Sequence, residues 1–369
     1  MFLSFLKKNI VMTIALVATL ITCFFVPVDR VYFTYFDMKT LTCLFCTLAI
    51  VCALKNIHFF RIAAYNIVCM FKNSRAVVLA LVCITFIGSM LIANDMALLT
   101  FLPLGYFVLS STRKMELMRF VFIMQTIAAN LGGMLTPFGN PQNLYLYSFF
   151  NIPTMEFIRI MLLPFLISIT LIILCCFFIV PKEPLELVEG CYKKMNGKRA
   201  VVYLILFAFC IALVFRTIPF YWGLVIIPPV LLFMDRSALK AVDYPLLLTF
   251  CAFFVFSGNM ARIPSVCDLL GTITDRHPLL TGVLSCQLIS NVPSAILLSK
   301  FTMDYSALLV AVNIGGAGTL IASLASLITF KEYMRYEPGR GFIYIWQYSF
   351  YNFGVLLVLF IIMAFVHGI

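Results

Sequence analysis

Charge is scarce in this chain. Only 11% of its 369 residues are Asp, Glu, Lys or Arg, and only 15 are acidic, where a soluble domain carries roughly 25% charged residues. A soluble globular protein is thereby excluded, because so little charge could not cover a surface of this size. Histidine is rarer still: His58, His277 and His367 are the only three, and they show no metal-ligand spacing. The 13 cysteines are scattered through apolar segments, and only Cys43 and Cys46 form a CxxC. No second Cys or His pair accompanies it, so those thiols read as packing rather than as a metal or redox centre. The apolar segments hold acids, histidines and nucleophiles only singly, which denies a membrane-embedded enzyme its catalytic cluster. No cofactor is expected.

What is present is apolar. Hydrophobic residues make up 63% of the chain and its mean hydropathy is +1.07, the composition of an all-α polytopic membrane protein. The net charge of +11 could suggest nucleic acid, but the basic residues cluster at alternate loops, as the positive-inside rule demands. The expected surroundings are therefore membrane lipids, with no nucleic-acid partner.

Apolar runs between breakers predict helices at 10–28 and 40–54, then a basic, aromatic interfacial stretch at 55–72. A pair of short segments within 76–110 is interrupted at Asn94-Asp95. A long run at 116–150 is broken by Thr136-Pro137-Phe138-Gly139-Asn140-Pro141, and a helix at 156–180 closes a first half, 1–180. The polar stretch 181–199 reads as a cytoplasmic linker. The second half, 200–369, has helices at 200–218, 221–234 and 244–260, then an amphipathic stretch at 262–275. A short pair within 278–301 surrounds Ser290-Asn291, a long run at 305–330 contains Gly315-Gly316, and a last helix covers 342–366. The run at 10–28 lacks a small-residue cleavage site and is read as a first membrane helix. Treating the two short pairs as re-entrant hairpins, with a cytoplasmic N-terminus, places Lys7, Lys8, Lys55 and the linker's Lys182, Lys193, Lys194, Lys198 and Arg199 on the cytoplasmic side. About nine full spans plus two hairpins result, in a bacterial cytoplasmic membrane.

The halves repeat each other. Asn130-Leu131-Gly132-Gly133-Met134-Leu135-Thr136 matches Asn313-Ile314-Gly315-Gly316-Ala317-Gly318-Thr319 at Asn, both glycines and Thr, and Leu144 matches Leu327 without a gap. Upstream of each copy stands an Asn opening a short helix, Asn94-Asp95 and Asn291-Val292-Pro293. The expected architecture is two inverted-topology repeats, each with a re-entrant hairpin and a discontinuous helix. Gly132, Gly133, Gly139, Gly315 and Gly316 mark the backbone breaks, since Gly and Pro cost about 1 and 3 kcal/mol in a continuous helix. Asn140 is a good N-cap type and Pro141 suits the first helical position. Asn94, Asn291 and Ser323 are also capping types. Four helix N-termini meeting at mid-membrane make an anion-binding environment. Asn94, Asn140, Asn143, Asn291, Thr136, Thr319, Ser290, Ser323 and Ser326 supply neutral ligands beside Pro141 and Pro293. Asp95 is the one acid deep in a membrane segment, where carboxylates are usually functional; it is the candidate carrier of a proton or cation.

These residues resemble those of the ion transporter superfamily: arsenite permeases, D-type sodium–proton antiporters, citrate transporters and divalent anion–sodium symporters. Asn94-Asp95 is similar to the Asn-Asp that opens the first hairpin of the arsenite and antiporter branch. Gly139-Asn140-Pro141-Gln142-Asn143 is similar to the family's Gly-x-Pro-Pro-Asn turn, and Ser290-Asn291-Val292-Pro293 to its Asp-Asn-Val-Pro. The resemblance implies a scaffold and a mobile transport domain, a homodimer, and elevator-like alternating access. Ser290 stands where that branch carries Asp, and the second break, Ala322-Ser323-Leu324-Ala325-Ser326, lacks the Pro and Asn of the pattern. The expectation is a sodium- or proton-coupled carrier of a small anion or oxyanion, carboxylate-like, with sodium at the hairpin tips as one coupling ion. A sodium–proton antiporter or arsenite efflux permease is the alternative.

Overall fold

The computed structural model describes residues 9–185 and 197–368. Lys7, Lys8, Lys193 and Lys194, and most of the expected linker, lie outside the described residues.

The described chain is helical. In order come α1 (Ile10–Phe25), α2 (Met38–Asn56), α3 (Phe59–Val68), α4 (Ser74–Ile92), α5 (Asn94–Ser111), α6 (Met118–Gly132), α7 (Pro141–Phe149), α8 (Thr154–Ile179) and α9 (Gly197–Val214). They are followed by α10 (Tyr221–Met234), α11 (Arg236–Lys240), α12 (Tyr244–Met260), α13 (Pro264–Arg276), α14 (Pro278–Ile289), α15 (Asn291–Leu298), α16 (Tyr305–Ile314), α17 (Leu324–Tyr336) and α18 (Gly341–His367). Boundaries follow local chemistry. Asp37, Asn73, Asp235, Asp243 and Asp304 each accept a backbone N–H of the first turn they precede, the usual N-cap arrangement.

Among the described residues six stretches are long and apolar enough to cross a membrane: Met38–Asn56, Ser74–Ile92, Met115–Leu135, Thr154–Ile179, Gly197–Val214 and Gly341–His367. A seventh results if α12 and α13, bent by 99° at their junction, are one span. The expected count of about nine is not reached. The 16 residues of α1 give about 24 Å at 1.5 Å per residue, short of a hydrocarbon core about 30 Å thick. The runs at 116–150 and 305–330, expected as discontinuous helices, are each divided in two, α6 with α7 and α16 with α17.

The centre is formed by α6 and α16. Every described residue of α6 but Arg119 is buried, and so is α16 from Ala307 to Ile314. Around them pack α4 and α5 against α6, α14 and α15 against α16, and α17 against both α5 and α6. On one flank α1 lies along α12, and α2 along α9 and α10. The outer faces of α8 and α18 carry Phe178 and Phe365, both exposed, as a lipid-facing helix requires. Past α8 the chain is strapped to the base of α4. The Arg75 Nε donates to the Val180 carbonyl at 2.8 Å, the Ser74 backbone N–H to the Glu183 carbonyl at 2.9 Å, and the Leu185 N–H to the Lys72 carbonyl at 2.9 Å.

Candidate functional site

The α4–α5 junction and the α14–α15 junction are built alike. Ala93 holds φ 61° and ψ 150°, and Ser290 holds φ 75° and ψ 159°. That region is nearly exclusive to glycine and costs of order 1–3 kcal/mol per residue. Just after each, an Asn turns its side chain back on the new helix: Asn94 Oδ1 accepts the Asp95 N–H at 3.0 Å, and Asn291 Oδ1 accepts the Val292 N–H at 2.9 Å. The capping residues are therefore Ala93 and Ser290, one position before the asparagines expected from sequence. A strained tip lets the new helix point its first turn inward instead of continuing the old one.

The two breaks also correspond. After α6 the chain passes a short 3-10 turn, Gly133–Leu135, and reaches Asn140 in extended conformation (φ −135°, ψ 143°) before α7. After α16 it passes Gly315 and reaches Ser323 in the same conformation (φ −148°, ψ 143°) before α17. Gly132 and Gly315, expected at the breaks, are still helical; their role is close approach. A Cβ on Gly132 would stand 2.1 Å from the Phe86 carbonyl oxygen, where α4 crosses α6. The second break turns instead at Gly318 (φ 118°).

Each break is held by the other. Ser323 Oγ donates to Asn130 Oδ1 at 2.8 Å, and Asn140 Nδ2 donates to Asn313 Oδ1 at 3.3 Å. In return Asn130 Nδ2 approaches Ser326 Oγ at 3.5 Å, and Asn313 Nδ2 donates to Asn143 Oδ1 at 2.6 Å. Each half ties its break to its own tip by a matching threonine: Thr136 Oγ1 donates to the Met90 carbonyl at 2.8 Å, and Thr319 Oγ1 to the Gln287 carbonyl at 3.2 Å. Met90 and Gln287 sit equally far ahead of Asn94 and Asn291. Asn143 Nδ2 faces the carbonyls of Gly133, Met134 and Thr136 at 3.2–3.3 Å, and so satisfies acceptors that the break frees. Asn140, expected to cap α7, makes no side-chain cap bond because its amide is turned to Asn130 and Asn313. Pro141 does occupy the first helical position.

Four helices begin at one narrow cleft of about 20 Å³. Its walls hold Asn94 and Asp95 of α5, Pro141 and Gln142 of α7, Asn291 and Pro293 of α15, and Ser323 with Leu324 of α17. Ser290 joins them, and Val11, Leu246 and Thr249 of α1 and α12 close the opposite side. Seven of the sequence-predicted residues thus meet there: Asn94, Asp95, Pro141, Ser290, Asn291, Pro293 and Ser323. Asn143 and Ser326 lie behind the wall in the amide network, where Ser326 accepts from Tyr348 Oη at 2.6 Å. Thr136 and Thr319 are not in the cleft; they are seam residues. Asp95 is half-buried, and its Oδ1 is buried with no hydrogen-bond partner. A wider cavity of about 680 Å³ begins beside it, lined by Met96 and Thr100 of α5, Lys55, His58 and Arg61 of the α2–α3 region, and Asp243. Among the described residues no three His, Cys, Asp or Glu side chains converge, so a cation here would be held by neutral oxygens and at most one carboxylate.

Sequence reasoning did not nominate Asn130, Asn313, Gln142 or Gln287 as site residues. The first two headed the repeat alignment, which was signal enough. Gln142 lay inside the motif already quoted. Gln287 carried no signal, because its oxygen and its carbonyl serve Thr319.

Apolar spans packed around a polar cleft that helix N-termini face define a multi-pass membrane transporter. The sequence profile of the citrate transporter family matches residues 1–308, and the chain belongs to that family. It is a permease, not an enzyme. An uncharacterized transporter of Methanocaldococcus jannaschii is 32% identical over 296 residues, covering 80% of this chain and 81% of that one. The inner membrane protein YbiR of Escherichia coli is 30% identical over 310 residues, covering 81% and 79%.

Proposed function

We propose that the chain is a secondary active transporter of a small anion, carboxylate-like, coupled to sodium or protons. The observation that carries this reading is the convergence of four helix N-termini on one cleft whose polar wall is made of neutral amides and hydroxyls and the single carboxylate of Asp95. N-termini supply partial positive charge and free N–H groups to an anion. The family's name, citrate transporter, points the same way. A sodium–proton antiporter with two carboxylates in its site fits less well, because among the described residues the cleft holds no second acid beside Asp95.

In this reading α4–α5 and α14–α15 are re-entrant hairpins of two inverted repeats, 1–180 and 200–369, joined by the linker 181–199. The matched tips and the reciprocal bonds between the breaks support it. The N-terminus is cytoplasmic, the membrane is a bacterial cytoplasmic one, and the 680 Å³ cavity with its Lys55, His58 and Arg61 is the inner vestibule. The body that holds both hairpins and both breaks moves against α1, α2 and α9–α13 in elevator fashion, within a homodimer. Asp95 carries the coupling proton or ligates the coupling ion.

The test is the thermal stability of the detergent-purified protein with citrate, C4-dicarboxylates, sulfate, phosphate and arsenite, each with sodium or potassium, at two pH values. A ligand at 100 times its dissociation constant adds about 2.7 kcal/mol. Stabilisation by one anion, enhanced by sodium or low pH and uncoupled by Asp95→Asn, is the expected result. A response to sodium alone, with every anion silent, refutes it in favour of the antiporter.

A further inference from the structure

Three polar residues of the first break, Asn140, Gln142 and Asn143, do not share one fate. Asn140 and Asn143 spend their amides on the seam between the breaks. Gln142 lies between them, is 1% exposed, and lines the cleft. Neither its Nε2 nor its Oε1 has a hydrogen-bond partner among the described residues. Exchanging the two ends of the amide changes nothing, since both are unpaired. A buried primary amide with donor and acceptor both unmet is costly in any protein interior. In this chain every other amide at the breaks has found a partner for at least one end.

We propose that Gln142 is a specificity-determining residue that reads a donor and an acceptor side by side on the transported solute. This rests on the anion-transporter reading of the cleft. A bare carboxylate offers only acceptors. It satisfies the Gln142 NH₂ but leaves Oε1 facing oxygen. A hydroxyl next to a carboxylate supplies both partners: the carboxylate oxygen accepts from Nε2, and the hydroxyl donates to Oε1. Gln142 therefore selects hydroxyl-bearing acids over their deoxy counterparts. Sites built to hydrogen-bond a substrate hydroxyl reject the analogue that lacks it far more strongly than apolar pockets do. Asp95 and the asparagines of the tips hold the charged and cationic parts of the load, and Gln142 sets which acid is taken.

The test compares malate with succinate, which differ by one hydroxyl. Dissociation constants come from thermal-shift titration in sodium, for the parent protein, Gln142→Met, which keeps length without hydrogen bonding, and Gln142→Asn, which withdraws the amide by one methylene. In the parent, malate is expected to bind about tenfold or more tightly than succinate. In Gln142→Met the preference falls to about twofold, mainly through loss of malate binding, while the ligand-free melting point stays within a few degrees. Gln142→Asn decides the matter where Gln142→Met does not fold, and its preference is reduced as well. An unchanged malate-to-succinate ratio in the folded variant overturns the assignment. Equal weakening of both acids together with a weakened sodium response also overturns it, because Oε1 would then serve the cation. Silence of the parent toward both acids refutes the anion reading itself, and this proposal with it. A parent response that the variants leave intact refutes Gln142 alone.

Discussion

Replacing Asn313 by Ala should show how much the reciprocal seam contributes to stability. The substitution removes the bonds from Asn313 Nδ2 to Asn143 Oδ1 and to the Leu309 carbonyl, and the bond accepted from Asn140, at 2.6, 2.8 and 3.3 Å. Hydrogen bonds between membrane helices average about 0.6 kcal/mol each, which sets a floor near 2 kcal/mol. Asn143 Oδ1 is left buried without a partner, and an orphaned buried group costs about 1–3 kcal/mol. The expected loss is therefore about 3–5 kcal/mol. At roughly 2–4 °C per kcal/mol for a unit of 150–250 residues, melting falls by about 6–20 °C. Asn130→Ala removes a comparable set, to the Gly316 carbonyl and Ser326 Oγ and from Asn94 and Ser323 at 3.2, 3.5, 3.2 and 2.8 Å, and should cost the same within about 1 kcal/mol, since both lose amide bonds between the breaks. A thiol-reactive dye suits the assay, because Cys286 and other buried cysteines become reactive only on unfolding. Asn352→Ala is the control, a buried amide of α18 whose described bond stays within its own helix. Should Asn130→Ala and Asn313→Ala melt no lower than that control, the seam carries no stability. Should one lose three times what the other does, the reciprocity is only apparent.

Gly132→Ala places a methyl 2.1 Å from the Phe86 carbonyl oxygen and 2.6 Å from Ser89 Oγ, so α4 and α6 must separate. A loss of about 1–3 kcal/mol or more is expected by melting, while Gly354→Ala, with nothing within 4 Å, should be neutral or gain about 0.5–1 kcal/mol from helix propensity. In the loop after α1, the hydrogen bonds from Arg262 hold the Asp29 carboxyl below its usual range. A depressed folded value means that this stabilisation is present above the ordinary carboxylate value and is lost as pH falls through the folded one. The melting difference between parent and Arg262→Gln should therefore be present at neutral pH and shrink as pH is lowered past the ordinary carboxylate value.

Much of the architecture was legible because hydrocarbon punishes irregular backbone. Gly139-Asn140-Pro141 and Ser290-Asn291 could not sit in a continuous buried helix, so their positions located the breaks and the tips to within a residue or two. The bounds of α10 and α12 were read to the residue, those of α10 even with Pro228 and Pro229 in its interior. What failed was what depends on close approach rather than on propensity. Gly132 and Gly315 look like breakers but serve as flat surfaces beside Phe86 and Cys286. Asn140 looks like a cap, but a partner more than 170 residues away, Asn313, claims its amide. The strain at Ala93 left no trace, since alanine favours ordinary helix. Span counting failed for a related reason: hydropathy sums over a segment and does not show that α1 and α10 are only 16 and 14 residues long.

The seam's chemistry has a physical logic. Breaking a helix in hydrocarbon frees N–H and C=O groups together. An ionised side chain could satisfy only one kind, and at a heavy desolvation cost. A primary amide carries donor and acceptor on one short stem. Asn143 shows the use of this: its NH₂ faces three freed carbonyls while its oxygen takes the NH₂ of Asn313. Since amides do not titrate, the charge of such a frame does not change with pH. The cleft it supports contains one group whose charge can change, Asp95, placed at the start of α5 with an unpaired oxygen. The proposed coupling would rest on that division between a frame without titratable groups and one acid. An acid built into the seam would instead let every protonation loosen the breaks that hold the site.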